Sequence, residues 1–302
     1  MRARNKFLIW LLLSSALVGV AGGQAGRKPG AATGAAGERG VLINVVASRE
    51  DGSEARVSSK DVALYDGGIE QTIQSFSPDP GPARIVLLVD NSLSLRADVE
   101  KLTQATREFA YEIYEGDQVM VVGYDQNPEI IADWTDDAKK IEASLPSFRK
   151  RGEPYLFDAL SAVINDALRP FGAANRKRVI VLVGDGLDRG SKTQFSGILS
   201  ELQRQDITVY ALQIPDRTGG ALRRDKPKPV QVVQQLVEGT GGRILSVNEP
   251  RDAAKAICDE LRKNRYVLGY TPSSVPTYDA RRLLLIPNEG INVRYKLKQP
   301  AQ

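Results

Sequence analysis

Four stretches of the chain are apolar almost throughout a strand's length: RIVLLVD (84–90), QVMVVGYD (118–125), RVIVLVGD (178–185) and ITVYALQIP (207–215), with a shorter fifth, RILSV, at 243–247. A strand with one solvated face alternates apolar and polar residues. A continuous apolar run is apolar on both faces and has to be covered on both. The segments between these runs carry a helical period instead. In ADVEKLTQATREFAYEIY (97–114) Val99, Leu102, Phe109 and Ile113 recur on one face, and in QFSGILSELQRQ (194–205) Phe195, Ile198, Leu199 and Leu202 do so. Buried strands joined by amphipathic helices predict an α/β fold, a doubly wound and mostly parallel sheet.

The flanks read differently. VLINVVAS, ARVSSKDVALYD and IEQTIQSF, separated by REDGSE and GG, are short alternating strands that end at the breaker PDPGPA (78–83). After residue 264 the chain returns to strands in RYVLGYTPS, RRLLLIP and INVRYKLK. Neither flank has enough strands to stand alone comfortably. The expectation is that 41–80 and 265–302 combine into one small β domain, with the α/β domain, 83–264, inserted between its halves.

Arg2, Arg4 and Lys6 precede the apolar stretch FLIWLLLSSALVGV, and small residues follow, which predicts a signal peptide over 1–25 and a Gly/Ala-rich tether over 26–40. A secreted or periplasmic location follows, with membrane attachment only if the leader is kept as an anchor. The leader also holds three of the 41 Lys and Arg residues, which leaves 38 against 37 Asp and Glu, so the near-neutral remainder favours no nucleic-acid partner. With no histidine in its 302 residues, the chain cannot build a Ser-His-Asp triad, a Cys-His pair or a His-ligated metal centre. Cys258 has no partner for an internal disulfide and lies on the apolar side of an amphipathic stretch, as a small buried hydrophobe would.

In open parallel sheets ligands collect outside the carboxyl ends of the strands. Two of the runs end there in aspartate, Asp90 and Asp185, and Asp90 is followed at alternate positions by Ser92 and Ser94. Carboxylates and hydroxyls are hard oxygen donors suited to Mg2+, Mn2+ or Ca2+. The competing reading is that Asp90 and Ser92 cap the next helix. No G-x-G-x-x-G follows the first run, which disfavours a dinucleotide. Nearby, Asp158 reads as a helix N-terminal charge or as support behind a metal, Asp188 as a loop residue and Asp125 as a turn residue. The charged run 217–229 reads as a solvated loop, or as a contact for an acidic partner.

The segments IVLLVDNSLSL, GDQVMVVGYDQ, GEPYLFDALSAVI and VIVLVGDGLDRGS, in that order, resemble a von Willebrand factor type A domain with its metal-ion-dependent adhesion site. The flanking segments resemble bacterial VWFA-related proteins of the acidobacterial type. The resemblance implies a Rossmann-like sheet of order 3-2-1-4-5-6 and protein binding in place of catalysis. It also implies a metal site of Asp90, Ser92, Ser94 and Asp185, to which an acidic residue of a partner adds. One position departs from the pattern: Pro154 stands where the metal-binding threonine is expected. Glu153 could supply a replacement carboxylate, Tyr155 could fill the space, or the site could hold metal weakly or not at all. The expected function is that of an exported adhesion or binding protein using Mg2+, or Mn2+ or Ca2+, with an unidentified protein partner and no enzymatic activity. A metal-free scaffold is the alternative, and a metal-assisted hydrolase with Glu153 or Asp188 as base is the less favoured one.

Overall fold

The N-terminal flank contributes β1 (Val41–Arg49), β2 (Val62–Asp66), β3 (Ile69–Gln71) and β4 (Ile73–Pro78). The α/β part follows as β5 (Arg84–Asp90), α1 (Val99–Glu112), β6 (Gln118–Tyr124), β7 (Pro128–Thr135), α2 (Ala138–Ser144), α3 (Leu156–Ala162), β8 (Arg178–Gly184), α4 (Phe195–Gln205), β9 (Thr208–Gln213), α5 (Pro229–Thr240), β10 (Ile244–Ser246) and α6 (Pro250–Lys263). The strands β11 (Arg265–Tyr270), β12 (Arg281–Pro287), β13 (Ile291–Tyr295) and β14 (Lys298–Gln299) close the chain. This computed structural model describes residues 40–301, apart from 52, 55, 175–176 and 216–226. The leader, all but the last residue of the tether and most of the charged run 217–229 therefore lie outside the described residues.

The central sheet has the order β10-β9-β8-β5-β6-β7. Counted from β5 this is the 3-2-1-4-5-6 order that the resemblance implied. The apolar runs became its parallel strands, whereas β7, PEIIADWT, lacks such a run and pairs antiparallel with β6. It is the edge strand, exposed or half-exposed along its length, and an edge needs no apolar residues on both faces.

Each face of the sheet has its own core. On one, Ile85, Leu87 and Val89 of β5 pack in a cluster with Leu102 and Phe109 of α1 and Ile257 and Leu261 of α6. On the other, Val86 and Leu88 join Leu160 of α3, Leu202 of α4 and Leu236 of α5. Each such side chain, once fully buried, contributes about 1.5–3 kcal/mol, so these two layers hold the sheet. Cys258 is buried on α6, and burial pushes its thiol pKa up, as expected of an inert core residue.

The flanks combine, but into two sheets, β13-β1-β11-β4 and β14-β12-β2-β3, each drawing strands from both ends of the chain. Ile43 and Val45 of β1, Leu268 of β11, Leu64 of β2 and Leu285 of β12 share one core between them. A buried ion pair crosses it: Arg281 Nε donates to both oxygens of Asp66 at 2.9 and 3.0 Å, and the Tyr270 hydroxyl donates to Oδ2 at 2.8 Å. At the join to the central sheet, buried Lys177 donates to the carbonyls of Asp79 and Gly81, which pins the PDPGPA turn.

Candidate functional site

Asp90 is the last residue of β5, paired in register with Tyr124 of β6, and the β5–β8 register continues from Val89 opposite Val183 towards Gly184. The chain winds outward from β5 to β6 and β7, then returns to place β8 on the other side of β5. That reversal makes the carboxyl ends of β5 and β8 the switch point of the sheet, and Asp90 and Asp185 stand on its two sides.

Asp90 and Ser92 are fully buried, Asp185 is 4% exposed and Ser94 is partly exposed. Asp90 Oδ1 accepts the Ser92 backbone N–H at 2.9 Å, and Asp185 Oδ1 accepts that of Leu187 at 2.9 Å, so both aspartates organise their own turns. The hydroxyls of Ser92 and Ser94 are 3.2 Å apart. Neither the buried Asp90 Oδ2 nor the hydroxyl of Tyr124 makes a hydrogen bond of good geometry, although Tyr124 stands close enough to Asp90 to act on it as a weak donor. Burial raises the Asp90 carboxyl to about 7; the Ser92 hydrogen bonds oppose the shift and the charge of Asp185 adds to it. Burial, with the Asp90 and Asp185 charges, also drives the Tyr124 hydroxyl well above its usual pKa, so it stays a neutral phenol.

The helix-cap reading of Asp90 fails. α1 begins at Val99 with Asp98 as its N-cap, whose carboxylate accepts the Lys101 N–H at 2.9 Å. Residues 91–95 form a loop of their own, held by the segment that carries Pro154. Asn91 N–H donates to the Tyr124 carbonyl at 3.0 Å, Arg151 N–H to the Asn91 carbonyl at 2.9 Å, and Leu93 N–H to the Gly152 carbonyl at 3.0 Å.

Pro154 is buried, and its carbonyl accepts the Arg189 N–H at 2.9 Å. Glu153 is paired with Arg189, Nε to Oε2 3.2 Å, on a half-exposed surface. The Tyr155 ring occupies the position against which any side chain at Gly190 would press. Asp125 makes the expected turn, accepting the Asn127 N–H at 3.0 Å, and also pairs with Arg151 at 2.9 Å.

Asp158 and Asp188 have roles that no local pattern announced. Asp158 accepts the N–H groups of Lys192 and Thr193, at 3.0 and 2.9 Å, ahead of α4. In return, Ser191 Oγ accepts the N–H groups of Phe157 and Asp158 at 3.1 Å, and Asp188 accepts that of Phe157 at 3.3 Å. The first turn of α3 and the loop after β8 thus cap each other.

Sequence reading missed Tyr124 and Gly184. A methyl group at Gly184 would lie 3.0 Å from Asp90 Cβ and 3.4 Å from the Tyr124 hydroxyl, so the glycine keeps space for the carboxylate. The only available signal was the shared final position of Gly184 and Tyr124 at their strand ends. Gly186, at φ +84°, lets the turn pass beneath α5, where a Cβ would come 2.6 Å from the Pro229 carbonyl oxygen.

Among solved structures, the chain is similar to an aerotolerance-related membrane protein from Bacteroides fragilis NCTC 9343 bearing multiple mutations to serines, at 19% identity over 60% of this chain and 99% of that one, with a TM-score of 0.47. It is also similar to the conserved hypothetical protein BatB from Bacteroides thetaiotaomicron, at 17% identity over 60% and 98% with a TM-score of 0.45, and to the SpRpn10 VWA domain, at 11% over 55% and 87% with a TM-score of 0.42. No curated protein matches the chain. Residues 85–187, which run from β5 to the turn after β8 and include every residue of the switch-point site, match the von Willebrand factor type A domain family, so that this segment of the chain is similar to that family.

Proposed function

We propose that this chain is an exported binding protein whose switch-point site takes a divalent cation, Mg2+ or else Mn2+ or Ca2+, on Asp90, Ser92, Ser94 and Asp185 and offers it to a protein partner. The observation that carries this reading is Asp90 Oδ2. A buried carboxylate oxygen with no well-formed hydrogen bond, helped only by the weakly placed Tyr124 hydroxyl and set beside a second carboxylate, is costly when ionised, and a cation offsets that cost. The donor chemistry supports the fit. Adjacent ligands of octahedral Mg2+ at about 2.1 Å stand about 3.0 Å apart, close to the 3.2 Å between the two serine hydroxyls. Among the described residues no three His, Cys, Asp or Glu side chains gather to hold an ion, so binding at this site depends on those hydroxyls.

When bound, the ion supplies a positive centre for an anionic group of the partner. The chain's own residues shape access to it. Ser94 is partly exposed and Leu93 is 67% exposed beside it, a place for a partner to rest apolar surface. Export is inferred from the leader; among the described residues no helix is long and apolar enough to cross a membrane. The two carboxylates that a hydrolase reading would use as base are both engaged, Glu153 by Arg189 and Asp188 by Ser191 and the α3 amide, which supports binding over hydrolysis.

The metal-free scaffold remains the second reading, favoured by Pro154, which offers no side-chain oxygen, and by Arg189 holding Glu153. Calorimetric titration of the full chain with Mg2+ and Mn2+ separates the two. Saturable heat that Asp90→Ala abolishes supports the cation site. No heat in the wild type, with tight binding created by Pro154→Thr, establishes the scaffold.

A further inference from the structure

The edge of the central sheet carries a groove that the switch-point site does not use. Met120 and Val122 of β6, Ile130 and Trp134 of β7, and Val163, which opens a π-helical turn (Val163–Leu168) after α3, line a space of about 390 Å3. This is within the range of pockets that hold side chains or small ligands. Ile130 is 60% exposed in it. Phe171 braces the Trp134 ring edge-on, with ring centres 5.2 Å apart.

Two irregularities shape the groove. Between the pairs Val119–Thr135 and Val121–Ala132, β7 spends three steps against two on β6. This bulge lets the consecutive residues Asp133 and Trp134 both border the groove, where strict alternation would present only one of them. Asp166 enters from the helical side, within the π turn. Among the described residues neither carboxylate is in an ion pair. Asp133 accepts only the Trp134 N–H at 2.7 Å, whereas Glu129, further along β7, is taken by Arg151. The nearby cation Arg84 stacks 5.4 Å over Phe171 and is not part of the lining.

We propose that this groove docks an extended segment of a partner protein in which a bulky apolar side chain stands beside lysine or arginine. The apolar side chain rests on Ile130 and Val122, and the cation lies between Asp133 and Asp166 within reach of the Trp134 face. β7 is the last strand of its sheet, so the segment lies along a backbone edge that is paired on one side only. Charge selects the occupant: an acidic segment meets two uncompensated carboxylates.

The probe is a short fluorescein-labelled peptide alternating phenylalanine and arginine, with its phenylalanine–glutamate counterpart as control, titrated into the full chain at low salt in EDTA. Trp134 and Trp10 are the only tryptophans, so the part of the emission change that Trp134→Phe abolishes reports occupancy of the groove. The arginine peptide is expected to bind and shift that emission. The Asp133→Asn/Asp166→Asn variant is expected to bind about tenfold more weakly, the loss of two exposed ion pairs, with an unchanged urea midpoint because both positions are exposed. Absence of binding, equal affinity in the variant, or equal affinity for the glutamate peptide overturns the proposal. EDTA keeps the result independent of the cation site.

Discussion

Replacing Asp90 with asparagine removes the most unusual charge in the protein and keeps its shape. The amide oxygen can still accept the Ser92 N–H that Oδ1 accepts at 2.9 Å, and the ionisable Oδ2, which has no well-formed hydrogen bond, is replaced by a neutral NH2 beside the Tyr124 hydroxyl. Burial holds the Asp90 pKa near 7, against 3.8 for an exposed aspartate. A carboxyl whose pKa is raised on folding binds its proton more tightly when folded, so its contribution to stability is complete below the unfolded value and is lost as pH rises through the folded one. A gap of about three units at ~1.4 kcal/mol each comes to roughly 4 kcal/mol, an upper bound once water entry relaxes the site. In EDTA, then, Asp90→Asn should exceed the wild type in stability by about 2–4 kcal/mol at pH 8 and by less than about 1 kcal/mol at pH 4. Urea unfolding followed by Trp134 fluorescence across that range measures the difference. A variant no more stable than the wild type at pH 8, or a difference independent of pH, would refute the burial argument. Addition of Mg2+ should then raise the wild type alone.

Two further substitutions probe the frame that holds the site. Asp66→Ala leaves Arg281 buried without its counter-ion and should cost about 3–5 kcal/mol in urea unfolding, whereas an Asp66→Leu/Arg281→Met pair should recover most of that loss. Gly186→Ala forces a side chain into φ +84° against Val233 and the Pro229 carbonyl, and should lower the thermal midpoint by the equivalent of about 1–3 kcal/mol. An unchanged midpoint would mean that the turn after Asp185 is not locked by α5.

Much of this was legible before any coordinates. A run such as RIVLLVD is apolar on both faces, and burial on both faces is a property of single residues that any reader of the chain can see. The same holds for the aspartates at the ends of two runs, because a strand end is a local event. β7 escaped that reading because an edge strand satisfies neither the continuous nor the cleanly alternating pattern. The start of α1 was readable in principle from Asp98 ahead of the apolar period, yet Asp90 and Ser92 offered the same residue types eight and six positions earlier.

By itself, then, the amino-acid order determined the layers, the parallel sheet and the rim at which oxygen-bearing side chains collect. Tertiary structure alone decided what stands beside them. Tyr124 and Gly184 flank Asp90 because of strand register between segments far apart in the chain, and register has no local period to betray it. The same long-range pairing set Asp158 against Thr193 and Ser191 against Phe157, drew Glu153 to Arg189, and split the flanks into two sheets sharing one core. Local sequence dictates which side chains must be buried; the chemistry of a site depends on which of them become neighbours, and only the folded chain chooses that.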